Sequence, residues 1–430
     1  MDSGDTILNS QKCYLDRIKY CVPGIIFCTA FLARVLFFLA LRKNNRMWTP
    51  EEIGINGWLD IAKNLAAGNG YSQSSLLTYF PVGHLVPTAA RSPVPLIALA
   101  VLLHIFKEHY FYPLFVYSWV LSAATAVALY FLALRFLDSV KMALVTAFLY
   151  CFYLPEMNIS TTYAAASESL FTLLLALYFL AFVKSLESPK LWGAALAGGL
   201  FALAFLSRPA VMFFPVFYAV ESLRRSGGEH KPFWRIAVYG AIFLAGLAPW
   251  VIRNQIVFHK PIVTTTLSGY TLLRHNGMIA ENRYDLAESA GKYNPVASRV
   301  VAEAGYDLKS LDEAQLDAIF AKKGVSIIRH YPWRYLKLCA MRTVWLWYKI
   351  SEAQPLYLYP NLAIYVFLFP GLILVFLRRH PLSLLAAHFL YFAVFHAAIN
   401  VQFRFICPMM PYGIMIAVYT VRSVFRGHNT

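Results

Sequence analysis

The chain has 430 residues, of which 59% are hydrophobic and 14% charged, and it carries a formal net charge of +16. Soluble domains are nearer a quarter charged, so this composition excludes an ordinary soluble globular protein. It also excludes nucleic acid as the partner behind the positive charge, because the lysines and arginines sit mostly in short segments between apolar runs, where they orient membrane helices.

A bilayer-spanning helix needs about 20 mostly apolar residues. Ten runs meet or approach that length: 22–41, 111–136, 139–155, 167–185, 191–206, 209–223, 235–252, 356–378, 382–400 and 405–424. They are continuous rather than alternating, which argues against a strand-built barrel. Runs 92–106 and 334–350 are expected to be interfacial or re-entrant helices. The first is short and opens Ser92-Pro93-Val94-Pro95, and the second carries Arg334, Lys337, Arg342 and Lys349 among its aromatics. The expected fold class is an all-α polytopic membrane protein with about ten transmembrane helices, interfacial helices in the first outer loop and a small outer-face cap. With ten spans, the short inner segments collect 15 of the 38 basic residues, Arg135, Arg224, Arg225, Arg378, Arg379 and Arg422 among them. The positive-inside rule then places both termini in the cytoplasm and two long loops, 42–110 and 253–355, outside. Residues 1–252 form the expected N-terminal transmembrane module, 253–355 the extracytoplasmic cap loop, and 356–430 the C-terminal helices.

The first apolar run lacks a small-residue cleavage site and is expected to stay as an uncleaved anchor. Cys21, Cys28, Cys151 and Cys407 lie in or beside apolar stretches and are expected to pack rather than pair. His84 and His104 have no ligand-spaced partner, so a zinc site is not expected. No cofactor is expected, and nothing indicates a divalent metal.

In the first outer loop, Trp58, Ile61, Ala62 and Leu65 recur at helical spacing, with Asn56, Asp60, Lys63 and Asn64 largely opposite and Gly68-Asn69-Gly70 as a stop. This predicts an amphipathic helix on the membrane surface. Glu51 and Glu52 precede it and Arg91 follows. In the second long loop, Asn276-Gly277 is a turn signal and Ser310-Leu311-Asp312-Glu313 a capping box.

The short outer turns carry the chemistry. They hold Glu156, Ser167-Glu168-Ser169, Ser207-Arg208-Pro209, Arg253-Asn254 and Gln402-Phe403-Arg404-Phe405. Ionisable groups beside lipid are costly and are candidates for function by default. The planar fork of arginine suits phosphate oxygens, and a carboxylate opposite can take a proton from an attacking hydroxyl or amine. The candidate catalytic acids are therefore Glu51, Glu52, Asp60 and Glu168, and the candidate substrate-binding residues Arg404, Arg208 and Arg91. The bland alternatives are helix-start acids for Glu51, Glu52 and Glu168, a solvated face for Asp60, and headgroup anchoring for the arginines.

Six stretches carry a resemblance: Trp58–Tyr71, Thr88–Pro95, Ser167–Ser169, Ser207–Pro209, Ala248–Asn254 and Arg404–Pro411. In this order they resemble the bacterial type C (GT-C) membrane glycosyltransferases, the superfamily of protein O-mannosyltransferases and lipid A aminoarabinose transferases. The resemblance implies a polyprenyl-phosphate-linked sugar donor, a lipid, glycan or protein acceptor, inverting transfer at the outer face of a bacterial inner membrane, and a first-loop acid as general base. It also implies that Glu168 fills a second acidic position and that Arg404 lies near the lipid phosphate. Where the family usually carries the first-loop acid, this chain has Gly54, and Glu51, Glu52 and Asp60 stand nearby. The alternatives are a polytopic transporter or flippase of lipid-linked sugars, a glycan polymerase or ligase, and a non-catalytic binder of lipid-linked sugar.

Overall fold

The computed structural model describes residues 4–43, 57–188, 190–225, 231–284, 295–303, 305, 308, 310–348 and 355–426. Glu51, Glu52 and Gly54 lie outside the described residues.

Among the described residues, six helices are long and apolar enough to cross a bilayer. They lie in α1 (Gly4–Lys43), α4 (Phe111–Leu137), α7 (Glu168–Glu187), α10 (Lys231–Phe258), α15 (Pro355–Leu377) and the segment Arg404–Phe425, whose long part is α18 (Met410–Arg426). Helices α5 (Val140–Cys151) and α6 (Leu154–Thr162), bent by 46° at a short break, pass the same test of length and apolarity only when taken together. Two further apolar helices are shorter, α8 (Trp192–Phe205) and α16 (Ser383–Ile399).

The expected run 209–223 is not one long helix. Pro209 opens a single 3-10 turn to Val211, and Pro215 lies in the first turn of α9 (Phe214–Arg224). Proline lacks an N–H and is tolerated at a helix start, not inside it. The 11 residues of α9 rise about 16 Å, roughly half the hydrocarbon thickness.

The break between α5 and α6 has a partner that satisfies it. Irregular backbone inside a bilayer must find its hydrogen bonds within the protein. Arg34, from α1, donates through Nη1 to the carbonyl of Cys151, the last residue of α5, at 2.8 Å. Its Nε donates to Ser122 Oγ at 3.0 Å, and that hydroxyl donates to Glu156 Oε1 at 3.0 Å. Arg34 and Glu156 are buried and joined through a serine rather than by direct contact.

The bundle has two chemically different ends. At one end Arg135 pairs with Glu187, Arg224 and Arg225 flank Glu221, Arg235 donates to the carbonyl of Ser188, and Arg422 donates to that of Leu137. At the other end lie the start of α7, the turn after α8 and the segment leading into α18. Helices approach closely where glycine allows it: a Cβ on Gly198 of α8 would strike the Tyr239 carbonyl of α10.

The first long loop contains α2 (Trp58–Ala66), which buries Leu59, Ile61 and Ala62 and packs on α3 (Pro93–Phe106). Gly68 and Gly70 follow at φ +84° and +71°, conformations that suit glycine. A hairpin that the sequence did not suggest comes next: β1 (Ser72–Leu76) pairs antiparallel with β2 (Phe80–Pro87).

The second long loop folds as α11 (Ser268–Asn276), α12 (Pro295–Glu303), α13 (Glu313–His330) and α14 (Pro332–Tyr348). Leu76 and Leu77 of the hairpin enter its core with Tyr270, Leu273, Leu316 and Phe320. The capping box uses Asp312 and Gln315, not the expected Ser310 and Glu313. Helix α14 does more than lie at an interface. Its Arg342 is fully buried and donates to Asn276 Oδ1 at 3.0 Å and to the carbonyl of Ala398 at 3.3 Å, tying the cap to α16.

Glu313 is instead the joint between the two loops. Its Oε1 accepts from Leu77 N at 3.2 Å and Thr88 Oγ1 at 3.0 Å, and its Oε2 from Ala89 N at 3.0 Å. Burial pushes its carboxyl up to about 7, against the pull of these donors. A folded-state value above the unfolded one means that the native state holds the proton more tightly, so this contribution is full below the unfolded value and is lost as pH rises through the folded one. We expect the thermal midpoint of wild type, relative to Glu313→Gln, to fall as pH rises from about 5 to beyond 7. A constant difference across that range would contradict this role for Glu313.

Candidate functional site

Of the five candidate residues that the structure describes, three meet. Glu168 is the first residue of α7, after Ser167 in the N-cap position, and a hydroxyl contact at 2.9 Å between Ser118 and Ser169 holds this start against α4. Arg208 is extended backbone between α8 and the Pro209 turn, with φ −151° and ψ 114°. Arg404 lies in the short helix α17 (Phe403–Ile406) that leads into α18.

The Nη1 atoms of Arg208 and Arg404 each stand 3.3 Å from Glu168 Oε1. The Arg208 contact is an ion pair without hydrogen-bond geometry, and Glu168 Oε2 has no hydrogen-bond partner among the described residues. Glu168 is 2% exposed, whereas the arginine side chains keep 16% and 17%. Aromatic rings fix both guanidiniums: Arg208 lies 5.9 Å from the Phe171 ring and 5.1 Å from Phe405, and Arg404 lies 5.2 Å from Tyr163 and 5.6 Å from Phe405. Gln402 Oε1 accepts from Arg404 Nε at 3.0 Å.

The charge balance decides what this arrangement suits. Among the described residues, Glu168 is the only acid in ion-pair contact with either arginine. One carboxylate against two guanidiniums leaves a formal charge of +1, and the helix N-terminus adds a partial positive charge. Stacked guanidiniums with residual exposure are pre-set to receive an anion such as a phosphate. Glu168 is too enclosed to meet a nucleophile directly. Its contacts suit it to holding the two arginines.

The other two described candidates, Asp60 and Arg91, stand elsewhere. Asp60 is exposed on α2, away from the buried face that packs on α3. Arg91 lies 5.7 Å from the Trp58 ring, and its carbonyl accepts from Tyr71 Oη at 2.9 Å. With Arg274 it hydrogen-bonds the Tyr79 hydroxyl; burial pushes that phenol up, but the two guanidiniums outweigh it and hold the group below its ordinary value. The Arg91 segment still touches the Arg208 turn, because Val94 N donates to the carbonyl of Leu206 at 3.2 Å. Arg253 clamps the first loop by donating to the carbonyls of Thr88 and Tyr71 at 2.7 and 3.0 Å. Among the described residues no group of three or more His, Cys, Asp or Glu is placed to hold a metal ion.

One neighbour of the site has no signal in the sequence. His396 of α16 stacks on Phe405 with ring centroids 4.8 Å apart and planes 28° apart, and the same ring is approached by both arginines. Histidines in apolar helices are more often core residues, and His388 on the same helix is one, packed among Phe179, Phe182, Phe214 and Phe217.

No family model matches the chain, and no curated protein matches it. Among solved structures, it is similar to ArnT from Cupriavidus metallidurans, whose crystal structure was determined bound to undecaprenyl phosphate. The two share 12% sequence identity, the match covers 92% of this chain and 77% of that chain, and the TM-score is 0.37.

Proposed function

We propose that this chain is a membrane glycosyltransferase that moves a sugar from a polyprenyl-phosphate donor to a lipid, glycan or protein acceptor at the outer face of a bacterial inner membrane. The observation that carries this reading is the pair of aromatic-stacked arginines sharing one buried carboxylate at the end of the bundle opposite its basic end. The donor phosphate neutralises the excess positive charge, and its polyprenyl tail lies along the apolar helices. As the sugar–phosphate bond breaks, Arg208 and Arg404 hold the departing phosphate and stabilise the charge that develops on it. Glu168 positions both guanidiniums. The residue motifs that resemble type C glycosyltransferases support the same reading, and the net +1 charge of the cluster supports an anionic ligand of any carrier length.

The test uses the full chain in proteoliposomes that contain a polyprenyl-phosphate hexose labelled in the sugar, together with bacterial membrane lipids and glycans. The reading expects label to leave the polyprenyl phosphate and to appear, covalently bound, in another fraction. Label that crosses the bilayer still attached to its polyprenyl phosphate would replace this reading with that of a flippase.

A further inference from the structure

We propose that the groove between α5 and α15 holds one anionic phospholipid from the leaflet at the basic end of the bundle, with its phosphate on Lys141 and an acyl chain along both helices. The groove has a volume of about 820 Å³, within the range of ligand pockets. Of its 11 lining residues Lys141 alone is charged, and the others are apolar or aromatic.

The α5 wall is a single stripe. Lys141, Val145, Leu149 and Phe152 recur at helical spacing and are exposed, so the groove opens sideways to lipid. From Lys141 to Phe152 the stripe rises about 16 Å. That is roughly half the hydrocarbon thickness of a bilayer, the depth of one leaflet's acyl chains. Pro360 and Ile364 of α15 stand on the facing wall. At the far end Tyr153 Oη donates to Asn361 Oδ1 at 2.6 Å and ties the two walls together. This bridge lies on the side of the arginine cluster, because α6 runs on from Leu154 to Thr162 and Tyr163 then meets Arg404. A lipid entering from the cluster meets the bridge, whereas one entering from the basic end meets Lys141.

Lys141 is the cation that this end leaves unsatisfied. Its ammonium has no hydrogen bond or ion pair among the described residues, with Asp138 three residues earlier or with any other. Arg135, Arg224, Arg225, Arg235 and Arg422 at the same end each engage a carboxylate or a carbonyl of the chain. A lysine beside lipid ordinarily extends to the headgroups. Here it heads a groove that takes the chain of the same lipid, which turns a general attraction into one site.

The test is native mass spectrometry of the delipidated full chain, titrated with phosphatidylglycerol or phosphatidylethanolamine. Wild type should retain one phosphatidylglycerol in preference to phosphatidylethanolamine. Lys141→Gln should weaken that binding about fivefold, the effect of one lysine at an anionic lipid surface, and remove the preference. Lys190→Gln, which removes another exposed lysine near the Ser188 turn of the same end, should change neither. Leu149→Trp fills the groove from a side chain already 49% exposed; it should keep the wild-type thermal midpoint in lipid-free detergent and lose the bound lipid. Equal retention of the two lipids by wild type, equal losses in Lys141→Gln and Lys190→Gln, or full retention in Leu149→Trp overturns the proposal. So does one-for-one displacement of the phospholipid by a polyprenyl phosphate, which would make the groove part of the carrier's site. None of these readouts requires sugar transfer, so the lipid site and the glycosyl-transfer reading fail separately.

Discussion

Arg404→Ala is expected to lower single-turnover sugar transfer from a polyprenyl-phosphate donor by about 10²–10³-fold, the usual cost of removing one preorganised group that stabilises developing charge. The substitution removes a guanidinium 3.3 Å from Glu168 and leaves Arg208 paired one-to-one with the carboxylate. The cluster then has no net positive charge with which to attract a phosphate. Glu168→Gln acts differently. It leaves both cations in place but removes what holds them, so transfer should also fall sharply. Quenched-flow measurement of donor consumption separates the two effects: Arg404→Ala should weaken donor binding and chemistry together, whereas Glu168→Gln should retain donor binding. Wild-type single-turnover rates in both variants would remove the three-residue site.

The second large effect concerns the fold. Arg34→Met should destabilise the protein by about 3–5 kcal/mol, because breaking a buried ionic unit leaves the remaining charge uncompensated. Three interactions go at once: the Ser122 bridge to Glu156, the bond to the Cys151 carbonyl at the α5–α6 break, and the bond to the Ala30 carbonyl. Adding Glu156→Met should recover a large part of the loss, since a neutral apolar pair no longer strands a charge. SDS-titration unfolding of the two variants checks this. A near-neutral Arg34→Met, or a double variant less stable than the single, would contradict the role given to the Arg34–Ser122–Glu156 unit.

What could be read from the sequence depended on the range of the interactions. Glu168, Arg208 and Arg404 stand out because each interrupts or borders an apolar run, and the cost of an ion beside lipid is a local property. Their meeting is a tertiary fact, supplied by the packing of α7, α8 and α17. The helix at 58–66 was legible from its 3.6-residue period and its glycine stop, although its buried set includes Leu59, which the simple stripe omits. The hairpin 72–87 was not legible. Its strands lack clean alternation, and its turn uses Leu77 and Thr78 at φ 51° and 69°, where a glycine or asparagine would have given the signal.

Glu313 shows the limit from the other side. Its position in Ser310–Glu313 fits a capping box, yet the cap is made by Asp312 and Gln315, and Glu313 turns inward to join two loops more than 200 residues apart in sequence. The run 209–223 has the hydropathy of a span, but its prolines set a turn and an 11-residue helix. His396 could not be told from His388 by sequence, since both sit on one apolar helix and only Phe405 and the arginines distinguish them.

The most direct measurement is a density map of the full chain in a bilayer disc, determined with a polyprenyl phosphate added. Phosphate density should sit within hydrogen-bond distance of the guanidiniums of both Arg208 and Arg404, with the isoprenoid tail running from it between the membrane helices. A phosphate bound elsewhere, with these two arginines still closed on Glu168 alone, would contradict the assignment of this cluster as the lipid-phosphate site.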